Sequence, residues 1–119
     1  MNREADAGMI WEALANLQQW QRDNIPAGGS AGSIEVLLWL LKTRHEPRPL
    51  KDLYLSSRAS EPTVRKMLRE YVHAGLIELE IDDDDHRNRH PRLTPRFDEV
   101  MARYQQELAR LADLVGASG

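Results

Sequence analysis

The sequence predicts a mostly α-helical α+β domain, in which two helices joined by a tight turn precede a short β-hairpin and a further helix lies at each end. Three observations support this class. Residues 50–74 show two helical segments that are separated by a short polar turn. Residues 76–81 alternate apolar with charged side chains, which is typical of a half-buried strand. Near both ends of the chain, apolar residues recur at steps of three and four, as in amphipathic helices.

The bulk composition limits what the chain can be. Its 119 residues suffice for one small domain, and 41% of them are apolar, so the core is small. The chain lacks cysteine, which excludes disulfide scaffolds, thiolate metal sites and cysteine nucleophiles. Residues 1–20 contain too many charged and polar side chains for a signal peptide, and the longest apolar run, residues 36–41, is too short to cross a bilayer. We therefore expect a cytoplasmic protein that does not enter a membrane.

The net charge of −3 does not favour nucleic acid as a partner, but the charge is unevenly distributed. Residues 1–47 contain four Lys or Arg and six Asp or Glu, and residues 97–119 contain two and four. Residues 48–96 contain ten Lys or Arg and nine Asp or Glu, and four of those nine are the consecutive aspartates at 82–85. The middle of the chain is the only part with a positive balance. The mildly acidic ends are expected of helices that face a partner subunit and solvent.

The N-terminal region, residues 1–32, is predicted to be a dimerisation helix followed by a linker. A helix over about residues 8–23 would place Ile10, Leu14 and Leu17 on one face. Proline and glycines follow at residues 26–32 and predict a flexible break.

The central domain, residues 33–94, is predicted to begin with a core helix whose N-cap is Ser33. This helix is rich in leucine and ends before two prolines, because each proline disfavours helical geometry in the residue before it. A short helix over about residues 50–56 and a turn at 57–59 follow. Ser60 then caps a longer helix, residues 60–74, and Gly75 suits the left-handed position after its end.

The C-terminal part is predicted to be a hairpin and one long helix. Residues 76–81 and 92–93 form the strands, and Thr94 caps the dimerisation helix in the C-terminal region, residues 95–119. Apolar residues of that helix step by four and three in the a/d pattern of a coiled coil, which requires a partner helix. The predicted dimerisation residues are Ile10, Leu14, Leu17, Met101, Tyr104, Leu108, Leu111 and Val115.

Residues 60–77 resemble the recognition helix of winged helix-turn-helix regulators. In that superfamily a serine cap, a threonine–valine pair, a basic residue, a core leucine and a terminal Gly-Leu-Ile recur in this order. Residues 50–53 look like the positioning helix. The Asp-His-Arg of residues 85–87 and the Leu-Thr of residues 93–94 are similar to the wing of MarR-like transcriptional regulators. The resemblance covers residues 34–100.

This resemblance implies a winged helix-turn-helix fold and sequence-specific binding of double-stranded DNA by a dimeric bacterial transcriptional regulator. Helix 60–74 would enter the major groove, and the wing, about residues 77–93, would lie on the minor groove or the phosphate backbone. A small-molecule effector is also implied, near Trp11, Trp20 and Trp39, although ordinary packing is the favoured interpretation of these tryptophans. The residues expected to contact DNA are Arg58, Ser60, Pro62, Thr63, Arg65, Lys66, Arg69, Arg87, Arg89, His90 and Arg92.

The residues themselves are consistent with DNA binding and leave two alternatives open. Arg65, in the N-terminal half of the helix, is expected to contact guanine, and Arg69 to meet the backbone. The helix would otherwise be an amphipathic core element, or the domain a protein-interaction module that does not bind DNA. We expect no enzyme, because no nucleophile and base pair can be recognised. We also expect no cofactor and no metal, because the aspartates at 82–85 lack the spacing of a calcium loop, and His86 and His90 have no third ligand.

Overall fold

The computed structural model describes residues 3–79 and 89–118, which form five α-helices and one two-stranded antiparallel sheet. The helices are α1 (Arg3–Asn24), α2 (Ala31–Thr43), α3 (Leu50–Ser56), α4 (Glu61–His73) and α5 (Pro95–Ser118). The strands are β1 (Ile77–Glu78) and β2 (Arg92–Leu93), and a 3-10 turn at Pro26–Gly29 joins α1 to α2. The predicted mostly helical α+β class is confirmed. None of the helices in this part of the chain has the length and apolarity that crossing a bilayer requires.

One core joins α2, α3, α4, the sheet and the first turns of α5. Tyr71 of α4 and Phe97 of α5 are its largest fully buried side chains, and leucines of α2 and α3 pack around them. In β1, Ile77 is buried and Glu78 is exposed, as the alternating pattern predicts. The other core residues are Ile25, Val36, Leu37, Leu40, Leu50, Leu53, Tyr54, Val64, Leu68, Leu76, Val100 and Met101.

The ends of α4 and the start of α5 confirm the predicted caps. Ser60 Oγ accepts a hydrogen bond from the Thr63 N–H (3.4 Å), and Gly75 has φ of 76° just after the end of α4. Thr94 Oγ1 accepts from the Phe97 N–H (3.3 Å) and donates to the Gly75 carbonyl (2.6 Å). Thr94 therefore ties the start of α5 to the end of α4.

The predicted cap of α2 is wrong by one turn. Ser30 is the N-cap, since its Oγ accepts from the Ser33 N–H (3.3 Å) and the helix begins at Ala31. Ser33 is instead fully buried, and its hydroxyl donates to the Pro26 carbonyl (2.5 Å) and lies 3.2 Å from the Tyr71 hydroxyl. The side chain of Ser33 is thus used inside the core, where it cannot cap the helix.

The predicted break between α1 and α2 is a defined turn. Ala27, Gly28 and Gly29 have φ values of 56°, 64° and 65°, a left-handed conformation that glycine adopts without strain. A Cβ on Gly29 would lie only 2.9 Å from Cβ of Gln21. Gly29 therefore allows α1 to pass close to the turn that precedes α2.

Helices α1 and α5 pack against each other in antiparallel directions. Trp20, near the end of α1, packs against Tyr104 with ring centroids 5.2 Å apart and ring planes inclined by 46°. Met9, near the start of α1, shares a groove with Leu114, near the end of α5. The two helices extend beyond the core, so the molecule measures 60 × 28 × 24 Å.

This packing divides the predicted dimerisation residues into three groups, which are buried, partly buried and exposed. Leu17 and Met101 are buried within the chain, so no second copy is needed to cover them. Leu108 and Val115 remain 44% and 51% exposed. The partly buried members of the set are Ile10, Leu14, Tyr104 and Leu111. The dimer itself stays a prediction, and the exposed pair on α5 is the part of the stripe that remains for a second copy.

Candidate functional site

One face of α4 is exposed and basic along its length. Lys66, Arg69 and His73 recur at steps of three and four and are all exposed, so they lie in one row. On the opposite face, Leu68 and Tyr71 are fully buried. The core thus fixes the direction in which the row of basic side chains points.

The start of α4 presents small polar groups beside this row. Ser60, Pro62 and Thr63 are exposed, and the hydroxyls of Ser60 and Thr63 are 2.9 Å apart. Arg58, in the turn before the helix, is also exposed, and its backbone N–H donates to a carboxylate oxygen of Glu35 (3.2 Å). Two exposed hydroxyls and an exposed arginine therefore lie at the start of α4, with the Glu35 carboxylate against the arginine backbone.

Arg65 is placed differently from its neighbour Lys66. Its side chain is only 38% exposed, and Nη2 lies 3.6 Å from Glu61 Oε2. The guanidinium also sits over the ring of Tyr54, with the central carbon 5.8 Å from the ring centroid. Arg65 therefore lies at the edge of the basic face, held by one acidic and one aromatic side chain. The sequence contains part of this arrangement in the four-residue spacing of Glu61 and Arg65, but not the contribution of Tyr54.

The hairpin brings further arginines near α3. Arg92 of β2 pairs across the sheet with Glu78 of β1 (3.0 Å). The Leu50 N–H, at the start of α3, donates to the Arg89 carbonyl (3.0 Å) and so connects the returning chain to the helical pair. Arg89 and His90 are both exposed. Predicted DNA contact Arg87, like most of the predicted wing, lies outside the described residues.

Tyr71 anchors the other side of α4. Its hydroxyl donates to the Ser33 carbonyl (2.8 Å), which links α4 to the first turn of α2. Burial raises the pKa of Tyr71 to about 12, and the hydrogen bond with the Ser33 side chain opposes this effect. Tyr71 is therefore neutral at physiological pH, and its role is to hold α4 in place.

The three tryptophans do not share one environment. Trp11 is 68% exposed, whereas Trp20 and Trp39 are partly buried and pack against the core. Arg103 of α5 lies over the Trp20 ring at 5.8 Å from its centroid. The proposed effector site near these residues stays a prediction.

The described ranges, 3–79 and 89–118, contain no group of three or more acidic or histidine side chains that would hold a metal ion. The aspartates at 82–85 and His86 lie outside those ranges, so the expectation that they hold no metal stays a prediction. Comparison of the chain with protein families, curated proteins and solved structures gives no match.

Proposed function

We propose that the protein is a dimeric winged helix-turn-helix regulator of the MarR-like kind, which binds double-stranded DNA in the bacterial cytoplasm. Helix α3 positions α4, and α4 enters the major groove with its exposed face toward the bases. The hairpin of β1 and β2 forms the base of the wing. The single observation that carries this proposal is the row of Lys66, Arg69 and His73 on a helix whose opposite face is anchored in the core.

The order of groups along α4 suits a helix that enters a groove by its N-terminal end. The exposed hydroxyls of Ser60 and Thr63 lie at that end, where base edges and phosphates are reached. Lys66 and Arg69 lie one and two turns further on, and they suit contacts with phosphate. The negative net charge does not prevent this mode, because a local positive surface steers DNA to one face.

A homodimer would present two copies of α4 to one DNA duplex. The helices that extend beyond the core carry exposed apolar side chains. These are Leu108 and Val115 on α5 and Trp11 on α1. A second copy would cover such side chains, and a two-fold axis would then relate the recognition helices. Half-sites of a pseudo-palindrome would be separated by roughly 34–36 Å, one turn of DNA.

Selection of binding sites from random duplexes with the full chain is the first experiment. The recovered sequences should contain an inverted repeat, and fluorescence anisotropy should then give a lower Kd for that site than for a scrambled duplex. Because a dimer would make several phosphate contacts, the affinity should also fall steeply as the salt concentration rises.

Lys66→Ala provides the variant for the proposed face, and Lys42→Ala on the exposed side of α2 provides a matched control. Lys66→Ala should weaken binding on all sites and reduce the slope of log K against log salt by about 1 for each protomer. Lys42→Ala should change neither quantity. Equal effects of the two substitutions would contradict the assignment of α4 to the groove. Failure to retard any duplex at low salt would favour the protein-interaction module.

A further inference from the structure

Methionine is the only sulfur-containing residue type of this chain, because cysteine is absent. The sequence has four methionines, and the structure describes three of them. Met9 on α1 is 53% exposed, and Met101 on α5 is 8% exposed. Met67 on α4 lies between these extremes, since it is partly buried and packs against the core. The thioether of Met67 therefore combines partial exposure to solvent with contact to the packed interior.

Met67 lies where α4 packs against α2. A Cβ at Gly32 would lie only 3.3 Å from the methyl carbon of Met67, so glycine leaves the room that this methyl group takes. Tyr71, one turn further along the same face of α4, donates its hydrogen bond to the carbonyl of Ser33, the next residue of α2. Two neighbouring contacts, Gly32–Met67 and Ser33–Tyr71, thus join α4 to the first turn of α2. We call this pair of contacts the α2–α4 seam.

An oxygen atom added to the Met67 sulfur would disturb this seam. Oxidation turns a flexible, apolar thioether into a polar sulfoxide, which packs poorly where the thioether packed well. Because glycine leaves space for a methyl group only, the added oxygen would displace α4 from α2 and weaken the neighbouring bond between Tyr71 and Ser33. The row of basic side chains on the outer face of α4 would move with the helix.

We propose that Met67 is a site of reversible oxidation, at which a peroxide loosens the packing of α4 against α2. In this reaction a lone pair of the sulfur attacks one oxygen of hydrogen peroxide, and the O–O bond breaks. The sulfur keeps that oxygen and is oxidised by two electrons, while the other oxygen leaves as water with both protons. Methionine sulfoxide reductases reverse the modification. The effect on stability is independent of DNA, and only the effect on affinity rests on the proposed function.

Hydrogen peroxide added to the full chain is the probe, and Met67→Leu is the main variant. Leucine keeps an apolar side chain of similar volume but cannot be oxidised. Met9→Leu is the matched control, because it removes the more exposed thioether, which lies on α1. Peptide mass spectrometry of the treated wild type should show one added oxygen first on Met9 and then on Met67.

Thermal unfolding then reports what each oxidation does to the fold. Once Met67 is oxidised, the Tm of the wild type and of Met9→Leu should fall by at least roughly 4 °C, since a packed contact is disturbed. The same treatment should leave the Tm of Met67→Leu nearly unchanged. Incubation with both stereospecific types of methionine sulfoxide reductase should restore the Tm of the wild type.

Binding to the selected duplex gives the readout that depends on the proposed function. Oxidation should raise the Kd at least roughly fivefold for the wild type and Met9→Leu, but not for Met67→Leu. If the untreated chain binds no duplex, the proposed function is refuted, and the Tm comparison still decides the proposal made here. The proposal is overturned if Met67 stays unmodified after Met9 is fully oxidised, if its oxidation leaves the Tm unchanged, if reductase does not restore the Tm, or if Met67→Leu loses as much as the wild type.

Discussion

Replacing Tyr71 with phenylalanine should destabilise the protein by removing a single buried hydroxyl. That hydroxyl donates to the Ser33 carbonyl at 2.8 Å and lies 3.2 Å from Ser33 Oγ, and the whole side chain is 0% exposed. Phenylalanine keeps the ring and its packing, so the loss is that of the buried hydrogen bond to the Ser33 carbonyl. We expect the free energy of unfolding to fall by about 1–2 kcal/mol. For a chain of this size, each 1 kcal/mol lowers Tm by roughly 4 °C.

Urea denaturation followed by circular dichroism measures this loss, and Tyr104→Phe is the control. The Tyr104 hydroxyl accepts a hydrogen bond from Gln21 Nε2. Because Tyr104 is only partly buried, water can replace the partner that its substitution removes. Its substitution should lower the free energy of unfolding by less. If Tyr71→Phe is no more destabilising than Tyr104→Phe, the contact between Ser33 and Tyr71 does not hold α4 to α2 as we argue.

The pH dependence of the same variant gives a second measurement. The Tyr71 pKa rises from 10.0 to about 12 on folding, mainly because burial disfavours the charged phenolate. Between pH 10 and 12 the unfolded chain has lost this proton while the folded chain keeps it, so stability falls as pH rises through that window. The full effect is on the order of 2–3 kcal/mol at pH 12. At pH 7 the wild type should have the higher free energy of unfolding, and its difference from Tyr71→Phe should disappear between pH 10 and 12. If the free energies of unfolding of the two proteins keep a constant difference across this range, the raised pKa of Tyr71 is contradicted.

Two further substitutions test the turn and the exposed apolar stripe. Gly29→Ala should lower the free energy of unfolding by roughly 1–3 kcal/mol, because φ is 65° and the new Cβ would lie 2.9 Å from Gln21 Cβ. Gly8→Ala, in α1 with open space around it, should instead stabilise by about 0.5–1 kcal/mol, and thermal unfolding distinguishes the two. Leu108→Lys should shift the protein toward monomer in sedimentation velocity, whereas Leu38→Lys, at a similar exposure of 48%, should not. A monomeric wild type would contradict the dimer.

The elements that the sequence predicts correctly depend on local contacts. Ser60 and Thr94 cap the starts of their helices by accepting from the N–H three residues on, and Gly75 marks the end of α4 by its positive φ, so the pattern of residue types is sufficient. The start of α2 depends on a distant partner instead. Ser30 and Ser33 both suit a cap, and the burial of Ser33 follows from its contact with a tyrosine 38 residues away.

The terminal helices show a second limit of the sequence. The a/d pattern of α5 requires a partner helix but does not say in which chain that helix lies. In the structure α1 of the same chain covers part of the stripe through the contact of Trp20 with Tyr104, while Leu108 stays exposed. Periodicity reports which face of a helix is apolar, and only the fold decides what covers it.

Arg65 shows the same limit within the candidate site. Residues 65 and 66 are adjacent in the sequence and both carry a positive charge, yet successive helical positions differ by about 100° around the axis. Lys66 points outward, whereas Arg65 turns toward Glu61 and Tyr54. To contact guanine, Arg65 must give up an ion pair worth about 0–1 kcal/mol and a cation–π contact worth about 0.5–1 kcal/mol. A bidentate guanine contact is worth about 1–3 kcal/mol, so the exchange is close to balanced.

In the proposed complex with DNA, this balance would make Glu61 a determinant of specificity through Arg65. Glu61→Gln keeps the size of the side chain and removes its charge, so Arg65 is released more easily. Discrimination between the selected site and a site with one changed guanine should increase by up to about fivefold in anisotropy titrations, since the lost ion pair is worth about 0–1 kcal/mol. The control is the same substitution in an Arg65→Ala background, where affinity should rise evenly on all sites because only repulsion from phosphate is removed. Should discrimination increase equally in both backgrounds, Arg65 is not the residue that Glu61 restrains.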